Sequence, residues 1–481
     1  MPKRFYLTTT LPYVNADPHI GFALEIIQAD IIARYRELLG EEVFFNTGTD
    51  EHGLKIYRKA QELNRGPQEY VDEFASKFKN LQNILGLSEK LNFIRTTNPE
   101  HKKSAQKFWE ICQTNGFIYK KDYQVKYCVG CELEKTDSEL ENNKCAIHPN
   151  LEIELISEEN YFFKFSSFQE KLLDLYNKNP DFVIPNSRLN EIKSFVARGL
   201  EDFSISRLKN KMPWGVAVPG DPEHVMYVWF DALVNYISCL GWPFDSAQDK
   251  PDNFVKFWPG VQFAGKDNLR QQAAMWQAML LAAGLPNSKQ IIIHGFITSA
   301  GQKMSKSLGN VIDPVKLVAE YGTDALRYYL ARHVQPFEDS DFTLEKFKEA
   351  YNANLANGLG NLVSRVMKMA TDNLEKPVEI NWRNISDFAD LTKYLNNYEY
   401  SQALDEIWKH IAKHDEYIQE TKPFSLIKTD PDQAREIIAK LVQGLADLAV
   451  CLEPIMPSTS AKIKQAVQGN KMPEALFPRK E

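Results

Sequence analysis

Two short stretches of this chain have the residue types and spacing to handle phosphate chemistry. The first is Pro18-His19-Ile20-Gly21-Phe22, which directly follows a strand-like segment and opens a helical pattern. The second, far along the chain, is Lys303-Met304-Ser305-Lys306-Ser307, in a loop introduced by Ser299-Ala300-Gly301. Alone, the histidine reads as a helix cap and the lysine loop as a solvated turn. Together, each beyond the end of a predicted strand, they suit attack of a carboxylate on the α-phosphate of ATP. Negative charge then builds on the phosphoryl oxygens as pyrophosphate leaves, and catalysis is mostly positioning and charge stabilisation. A helix start with an imidazole offers donors, Gly21 allows close approach, and Lys303 and Lys306 can close over the leaving phosphates.

A third group has metal-ligand spacing. Cys128-x2-Cys131 is followed, thirteen residues on, by Cys145-x2-His148. Each short loop presents two ligands, and thiolate with imidazole suits a tetrahedral Zn²⁺ site of the closed, structural kind. Cys112, Cys239 and Cys451 fall in apolar helical settings and are expected to be core residues.

The elements that must position these groups can be read from periodicity. Phe5–Thr10 is β-branched and aromatic, as a buried strand should be. Pro18 is placed as a first helical residue, and Ile20, Leu24, Ile27, Ile31, Tyr35 and Leu38 repeat at helical steps until Gly40. Val43–Phe45 is the next strand, which predicts a βαβ unit with ligands beyond the strand carboxyl ends. Residues 120–215 read as shorter mixed segments, and strand–helix character returns at Val225–Trp229, the helical Leu269–Ala283 and the strand Gln290–Ile293. That pattern describes an insertion splitting one parallel-sheet domain, with an exposed loop at Ser246–Asp252. After about residue 340 three apolar stripes, from Phe347, Leu404 and Ile438, predict a helix bundle.

Composition bounds the rest. At 481 residues, with 43% hydrophobic and 25% charged, the chain is globular and long enough for about three folding units. No apolar run approaches the roughly 18 residues of a spanning helix, and the N-terminus lacks a signal-peptide core. Six cysteines exclude a disulfide scaffold, so a soluble cytoplasmic protein is expected. A net charge of −7 argues against a general nucleic-acid coat but leaves room for a local basic face.

The two phosphate motifs resemble the HIGH and KMSKS signatures of class I aminoacyl-tRNA synthetases. The finer pattern is similar to the methionyl-tRNA synthetase family: Leu11-Pro12-Tyr13-x-Asn15, Asp50-Glu51-His52-Gly53, Tyr227-Val228-Trp229-Phe230-Asp231-Ala232 and Gly265-Lys266-Asp267 occur in the family's order. The resemblance covers essentially the whole chain. It implies a Rossmann-type α/β catalytic domain (1–118 and 223–298) split by a connective insertion with a zinc knuckle (119–222). A KMSKS loop and stem-contact segment (299–342) and an all-α anticodon-binding bundle (343–481) follow. The implied activity is ATP-dependent formation of methionyl-adenylate and transfer to the terminal ribose of tRNA(Met), with Mg²⁺ accompanying ATP.

By the same resemblance His19, Gly21, Gly265, Asp267, His294 and Lys306 are assigned to ATP, with His19, Lys303 and Lys306 catalytic. Leu11, Tyr13, Asp50, Trp229, Ala232, Tyr236 and Gln272 are assigned to methionine, Asp50 pairing with the α-ammonium. Asn361 and Arg365, at i and i+4 on one helix face, and Phe424 are assigned to the anticodon. Five positions depart from the family: Phe22 replaces the second histidine, Gln271-Gln272 an aromatic–His pair, Leu233 a proline, and Phe424 a tryptophan. Two other readings stand beside this one: a class I synthetase for another amino acid, and an inactive zinc-containing tRNA-binding protein. Since the sequence stops at Glu481, without the C-terminal dimerisation domain some relatives carry, a monomer is expected.

Overall fold

The computed structural model describes residues 2–135, 139–243, 253–304 and 309–480. The expected loop at 246–252 lies outside the described residues.

The chain begins with β1 (Arg4–Thr9), crosses through α1 (Ile20–Leu38) and returns as β2 (Glu42–Thr49). After α2 (Leu54–Glu62) come β3 (Asn92–Arg95) and α3 (Pro99–Thr114). The insertion is built on the long antiparallel pair β4 (Ile118–Cys128) and β5 (Glu154–Phe163). The chain then passes β6 (Val183–Ile184), β7 (Asp221–Met226) and the short α4 (Val228–Ala232). Next are β8 (Val261–Gly265), α5 (Trp276–Ala282), β9 (Gln290–His294) and β10 (Ile297–Ser299).

The central sheet has the order β3-β2-β1-β8-β9-β6, with every pair parallel. The chain therefore builds outward from β1 on one side and resumes at β8 on the other. This is the topological switch point at which such sheets bind ligands. Alternation along β1 serves both faces: Phe5 and Leu7 enter one core, and Tyr6 enters the other.

Three differences from the sequence reading have local causes. α1 starts at Ile20, because the His19 side chain, not Pro18, caps it by accepting from the Gly21 N–H. The helix expected over Leu269–Ala283 widens to π turns at Gln271–Met275, where the Gln277 amide donates to the Gln272 carbonyl (2.9 Å). Residues 183–184, inside the expected insertion, return to the main sheet as its edge strand beside β9.

The helical part comprises α6 (Thr323–Arg332), α7 (Asn361–Asn373), α8 (Tyr400–Thr421), α9 (Pro431–Leu452) and α10 (Pro457–Gly469), among other turns. The three expected stripes are buried, except that His414 is half-buried. Their side chains share one continuous core with α1 and its face of the sheet. Tyr400 on α8 donates to the Gln28 carbonyl of α1 (3.1 Å).

At the centre of this junction lies Arg327 on α6, fully buried. It pairs with Asp30 of α1 (2.7 Å) and donates to the carbonyls of Ile455 (2.7 Å), Pro454 (3.1 Å) and Leu85 (3.2 Å). Asp30 also accepts from Arg34 (2.8 Å) and the Ser88 N–H (2.7 Å). Removing Arg327 leaves Asp30 with Arg34 and the Ser88 N–H, but it breaks a buried pair and strips three buried carbonyls of a donor, a loss of about 3–5 kcal/mol. Arg327→Ala should therefore lower unfolding stability in urea by about that amount, whereas Arg58→Ala, in an exposed pair with Glu154, should change it by under about 1 kcal/mol.

Candidate active site and helical-domain groove

The carboxyl ends of β1, β8 and β9 converge on one place. Thr10 extends β1 and donates its N–H to the Phe263 carbonyl of β8 (3.1 Å). Its N–H and hydroxyl also reach Glu25 Oε1 on α1 (2.7 and 2.6 Å). The other oxygen, Oε2, meets His294 Nε2 at the end of β9 (2.7 Å). Glu25, a buried carboxylate beside the apolar stripe of α1, thus ties the ends of β1 and β9 together, and the sequence reading missed it. The mismatch of charge within that stripe was its only local signal.

Burial by itself would lower the His294 pKa, but the hydrogen bond and charge of Glu25, with the Gly295 carbonyl (2.8 Å) and Asp267, raise it. Gly265 ends β8 between these groups: a Cβ there would lie 2.9 Å from Asp267 Oδ1 and 3.6 Å from the His294 ring. The structure therefore gathers Gly265, Asp267 and His294.

His19 stands exposed at the start of α1 with Nδ1 accepting from Gly21 N–H (3.1 Å), which leaves Nε2 as its donor nitrogen. The free backbone donors expected there are already engaged: Ile20 N–H bonds the Ile312 carbonyl (3.0 Å) and Phe22 N–H the His19 carbonyl (3.0 Å). What this helix start offers is the imidazole and the dipole behind it. The Ile312 contact brings the segment after the undescribed residues 305–308 to the same place, and Met304, before them, packs on the core. The Lys303 side chain and residues 305–308, including Lys306, lie outside the described residues. Phe22, in place of a second histidine, packs edge-on against Phe78 (5.2 Å).

A second cluster sits on the β2 side of the switch point. Tyr13 bridges to Asp50, and Val14 N–H and Asp50 N–H complete the pairing of these loops (3.2 and 3.0 Å). Asp50 is buried, and its Oδ1 has no hydrogen-bond partner among the described residues. Burial, then the nearby Asp231 charge, holds its carboxyl well above the usual range, against the opposing His52 N–H. Asp231 behaves oppositely. Burial is outweighed by His52 (2.6 Å) and His101 (2.9 Å), which flank it and keep it ionised. His101 had no local sequence signal, since its role depends wholly on the packing of α3 beside α4.

Trp229 and Ala232 lie one turn apart on α4, and the Trp229 indole N–H is buried without a partner among the described residues. Tyr236 is buried with its hydroxyl accepting from Gln272 (2.8 Å), so these two predicted residues touch. Gln272 in turn belongs to a buried amide network with Gln262 (3.4 Å). Leu11 is half-buried in the loop after β1, and Leu233 is buried.

In the insertion, one ligand atom from each of Cys128, Cys131, Cys145 and His148 falls within 4.8 Å of every other. Cys131 Sγ lies 3.4 Å from Cys145 Sγ and 3.2 Å from His148 Nδ1, and Cys128 Sγ 3.9 Å from His148 Nδ1. Ligands of a tetrahedral ion with bonds of about 2.3 Å stand about 3.7 Å apart, so this cluster fits a metal ion.

Across the helical part, Asn361 and Arg365 occupy the first two turns of α7, and Arg365 pairs with Asp415 of α8 (2.9 Å). Arg365 and the exposed Phe424 line a groove of about 520 Å³ with Lys368 and Gln419. Asn361 lines a neighbouring one of about 440 Å³, and Ser364 borders both. The three predicted residues therefore share one region of the surface.

With a raised folded pKa, His294 contributes stability that is complete below pH 6.5 and fades as pH rises through the raised value. A histidine NMR titration should find it shifted above 6.5, and Glu25→Gln should lower it, since only the Gly295 carbonyl and Asp267 then oppose burial. An unshifted wild-type titration would contradict the clamp.

Residues 5–146 and 130–367 match the family model for tRNA synthetases class I (M), and 378–478 match that for the anticodon binding domain of methionyl tRNA ligase. The chain is 41% identical to a methionine–tRNA ligase of Nostoc sp., over 96% of this chain and 89% of the relative. It is 39% identical to that of Rickettsia bellii, over 99% and 95%. Among solved structures, the Mycobacterium tuberculosis methionyl-tRNA synthetase in complex with methionyl-adenylate superposes with a TM-score of 0.88 at 34% identity, covering 100% of this chain and 99% of that one. The free-state form of that enzyme gives 0.83 at 30% identity, with the same coverage.

Proposed function

The chain belongs to the methionine-specific class I aminoacyl-tRNA synthetases, and from that membership we propose how its residues divide the reaction. The chain activates methionine with ATP to methionyl-adenylate and transfers the methionyl group to the 3′-terminal ribose of tRNA(Met), for initiation and elongation. The observation that carries the division of labour is Asp50 Oδ1, a buried carboxylate oxygen lacking a partner among the described residues.

An α-ammonium supplies what that oxygen lacks. Its positive charge favours ionised Asp50 in a site where burial and Asp231 otherwise oppose it. Leu11, Tyr13, Trp229, Ala232 and Tyr236 then surround the thioether, each sulfur–aromatic contact contributing roughly 0.3–1.5 kcal/mol. Gln272 holds the Tyr236 hydroxyl in place, standing in for the aromatic–His pair of relatives.

ATP lies on the other side of the seam, with its ribose and base near Gly265 and Asp267 and its phosphates near His19 and His294. Gly21 keeps the wall beside His19 low. The methionine carboxylate attacks the α-phosphorus, the bond to the β-phosphate oxygen breaks, and pyrophosphate departs. Nε2–H of His19 and the charges of Lys303 and Lys306 stabilise the phosphoryl oxygens. Mg²⁺ bound with ATP adds charge neutralisation on the phosphates. Zn²⁺ suits the three thiolates and one imidazole of the knuckle, where it holds the insertion's fold.

Asn361 and Arg365 hydrogen-bond anticodon base edges while Phe424 stacks on a base, and releasing Arg365 from Asp415 is part of that binding. With a net charge of −7, tRNA affinity rests on local contacts and weakens with added salt. The protein acts in the cytoplasm as a monomer; among the described residues no helix is long and apolar enough to cross a membrane.

Amino-acid-dependent exchange of pyrophosphate into ATP is the test. Methionine alone among the standard amino acids should support it. Exchange with a different amino acid would overturn the specificity, and none at all with folded protein would favour a binding module. Lys306→Ala should slow exchange by about 10²–10³-fold while tRNA affinity stays within about threefold.

A further inference from the structure

Glu132 follows the metal-site residue Cys131 directly, yet its carboxylate leaves the knuckle and enters the wall of the amino-acid site. It is only 4% exposed, and its backbone takes a left-handed φ of 53°, rare for a residue with a side chain. Oε1 accepts from the Lys55 N–H in the first turn of α2 (2.6 Å) and from the Tyr13 hydroxyl (3.2 Å). Oε2 accepts from the Tyr127 hydroxyl at the end of β4, and the Glu132 carbonyl accepts from the Tyr227 hydroxyl just before α4. Lys55 Nζ returns to the knuckle at the Gly130 carbonyl (3.2 Å).

One residue therefore joins the loop after β1, the turn that carries Asp50, the insertion and the helix that carries Trp229. Space for this junction depends on Gly53, whose φ is +115°. A Cβ there would collide with the Tyr13 hydroxyl and lie 3.2 Å from Glu132 Oε1. Burying a second carboxylate near Asp50 is unfavourable for stability alone, where a packed apolar side chain would serve as well. Its three donors, Lys55 N–H and the Tyr13 and Tyr127 hydroxyls, are instead aimed from parts that must hold one geometry around a small substrate.

We propose that Glu132 is a positioning residue through which the metal knuckle sets the geometry of Tyr13 and of the Asp50 turn for methionine. This rests on the assignment of Tyr13 and Asp50 to the methionine site. The test uses the full chain with its metal, in pyrophosphate exchange, with KM for methionine and for ATP measured separately for Glu132→Gln, Tyr13→Phe and the double variant. Metal content is measured by mass spectrometry. Glu132→Gln should raise KM for methionine at least about fivefold, leave KM for ATP within about twofold and retain its metal. The double variant should be no worse than the poorer single variant, because one contact cannot be lost twice.

Unchanged KM for methionine in Glu132→Gln, with Tyr13→Phe impaired, overturns this proposal alone. An inert Tyr13→Phe overturns the placement of Tyr13 and this proposal with it. Parallel rises in both KM values, loss of metal, or a double variant equal to the product of the singles also contradict it. Should Glu132→Gln not fold, Tyr127→Phe removes one donor to the same carboxylate and should raise KM for methionine about two- to threefold; no change overturns the proposal.

Discussion

Strands β1 and β8 are separated by more than two hundred residues of intervening chain, yet Leu7, Thr8 and Thr9 pair in parallel register with Val261, Gln262 and Phe263. His19, Asp50, Gly265, Asp267 and His294 lie at or just beyond the carboxyl ends of central-sheet strands around that seam, whereas Trp229, Ala232 and Tyr236 lie on α4 and just after it. The His19 helix follows β1, the Asp50 turn follows β2, Gly265 and Asp267 follow β8, and His294 ends β9. The seam is held from above by Glu25, which reaches Thr10 on one side and His294 on the other. The same helix carries Asp30, whose pairing with Arg327 fixes the helical bundle to the catalytic unit. One amphipathic helix thus bears two buried carboxylates, one for the site and one for the domain junction. Buried pairs of this kind contribute little net stability but disfavour every arrangement in which their partners are displaced.

Charge is segregated across the seam. On the β2 side Asp50, Glu51, Asp231 and Glu132 are all buried, and all but Asp50 have both oxygens engaged by arginine, histidine, hydroxyl or backbone donors. Asp50 is the one left with an open oxygen, which makes it the natural counter-ion for an arriving cation. On the β9 side the His19 imidazole presents its Nε2–H, as a phosphate requires, while both ring nitrogens of His294 are engaged by Glu25 and the Gly295 carbonyl.

Much of this was legible in the sequence. The β1–α1–β2 unit follows from apolar periodicity, although β2 runs four residues past the expected Phe45 to Thr49, and the metal knuckle follows from ligand spacing alone. The bundle's three stripes are buried as read. The misses share a cause. Glu25, Asp231, His101 and Glu132 act through partners distant in the chain, and a lone sequence shows a charged residue but not what faces it. The edge strand at 183–184 is too short for periodicity to register, and the π turns at Gln271–Met275 depend on a side chain two residues beyond them. The capping of α1 by His19 shows the same limit locally: proline propensity pointed to Pro18, and a side-chain hydrogen bond decided otherwise.

The central claim is that one adenylate lies across the β1–β8 seam, with its ammonium on Asp50 and its phosphate beside His19. A crystal structure of the full chain with a non-hydrolysable methionyl-adenylate analogue tests this most directly. The account predicts the ammonium within hydrogen-bond distance of Asp50 Oδ1, the thioether among Tyr13, Trp229 and Tyr236, and the phosphate mimic facing His19 Nε2. An ammonium seated on another carboxylate, or an adenylate lying wholly to one side of the seam, would contradict it.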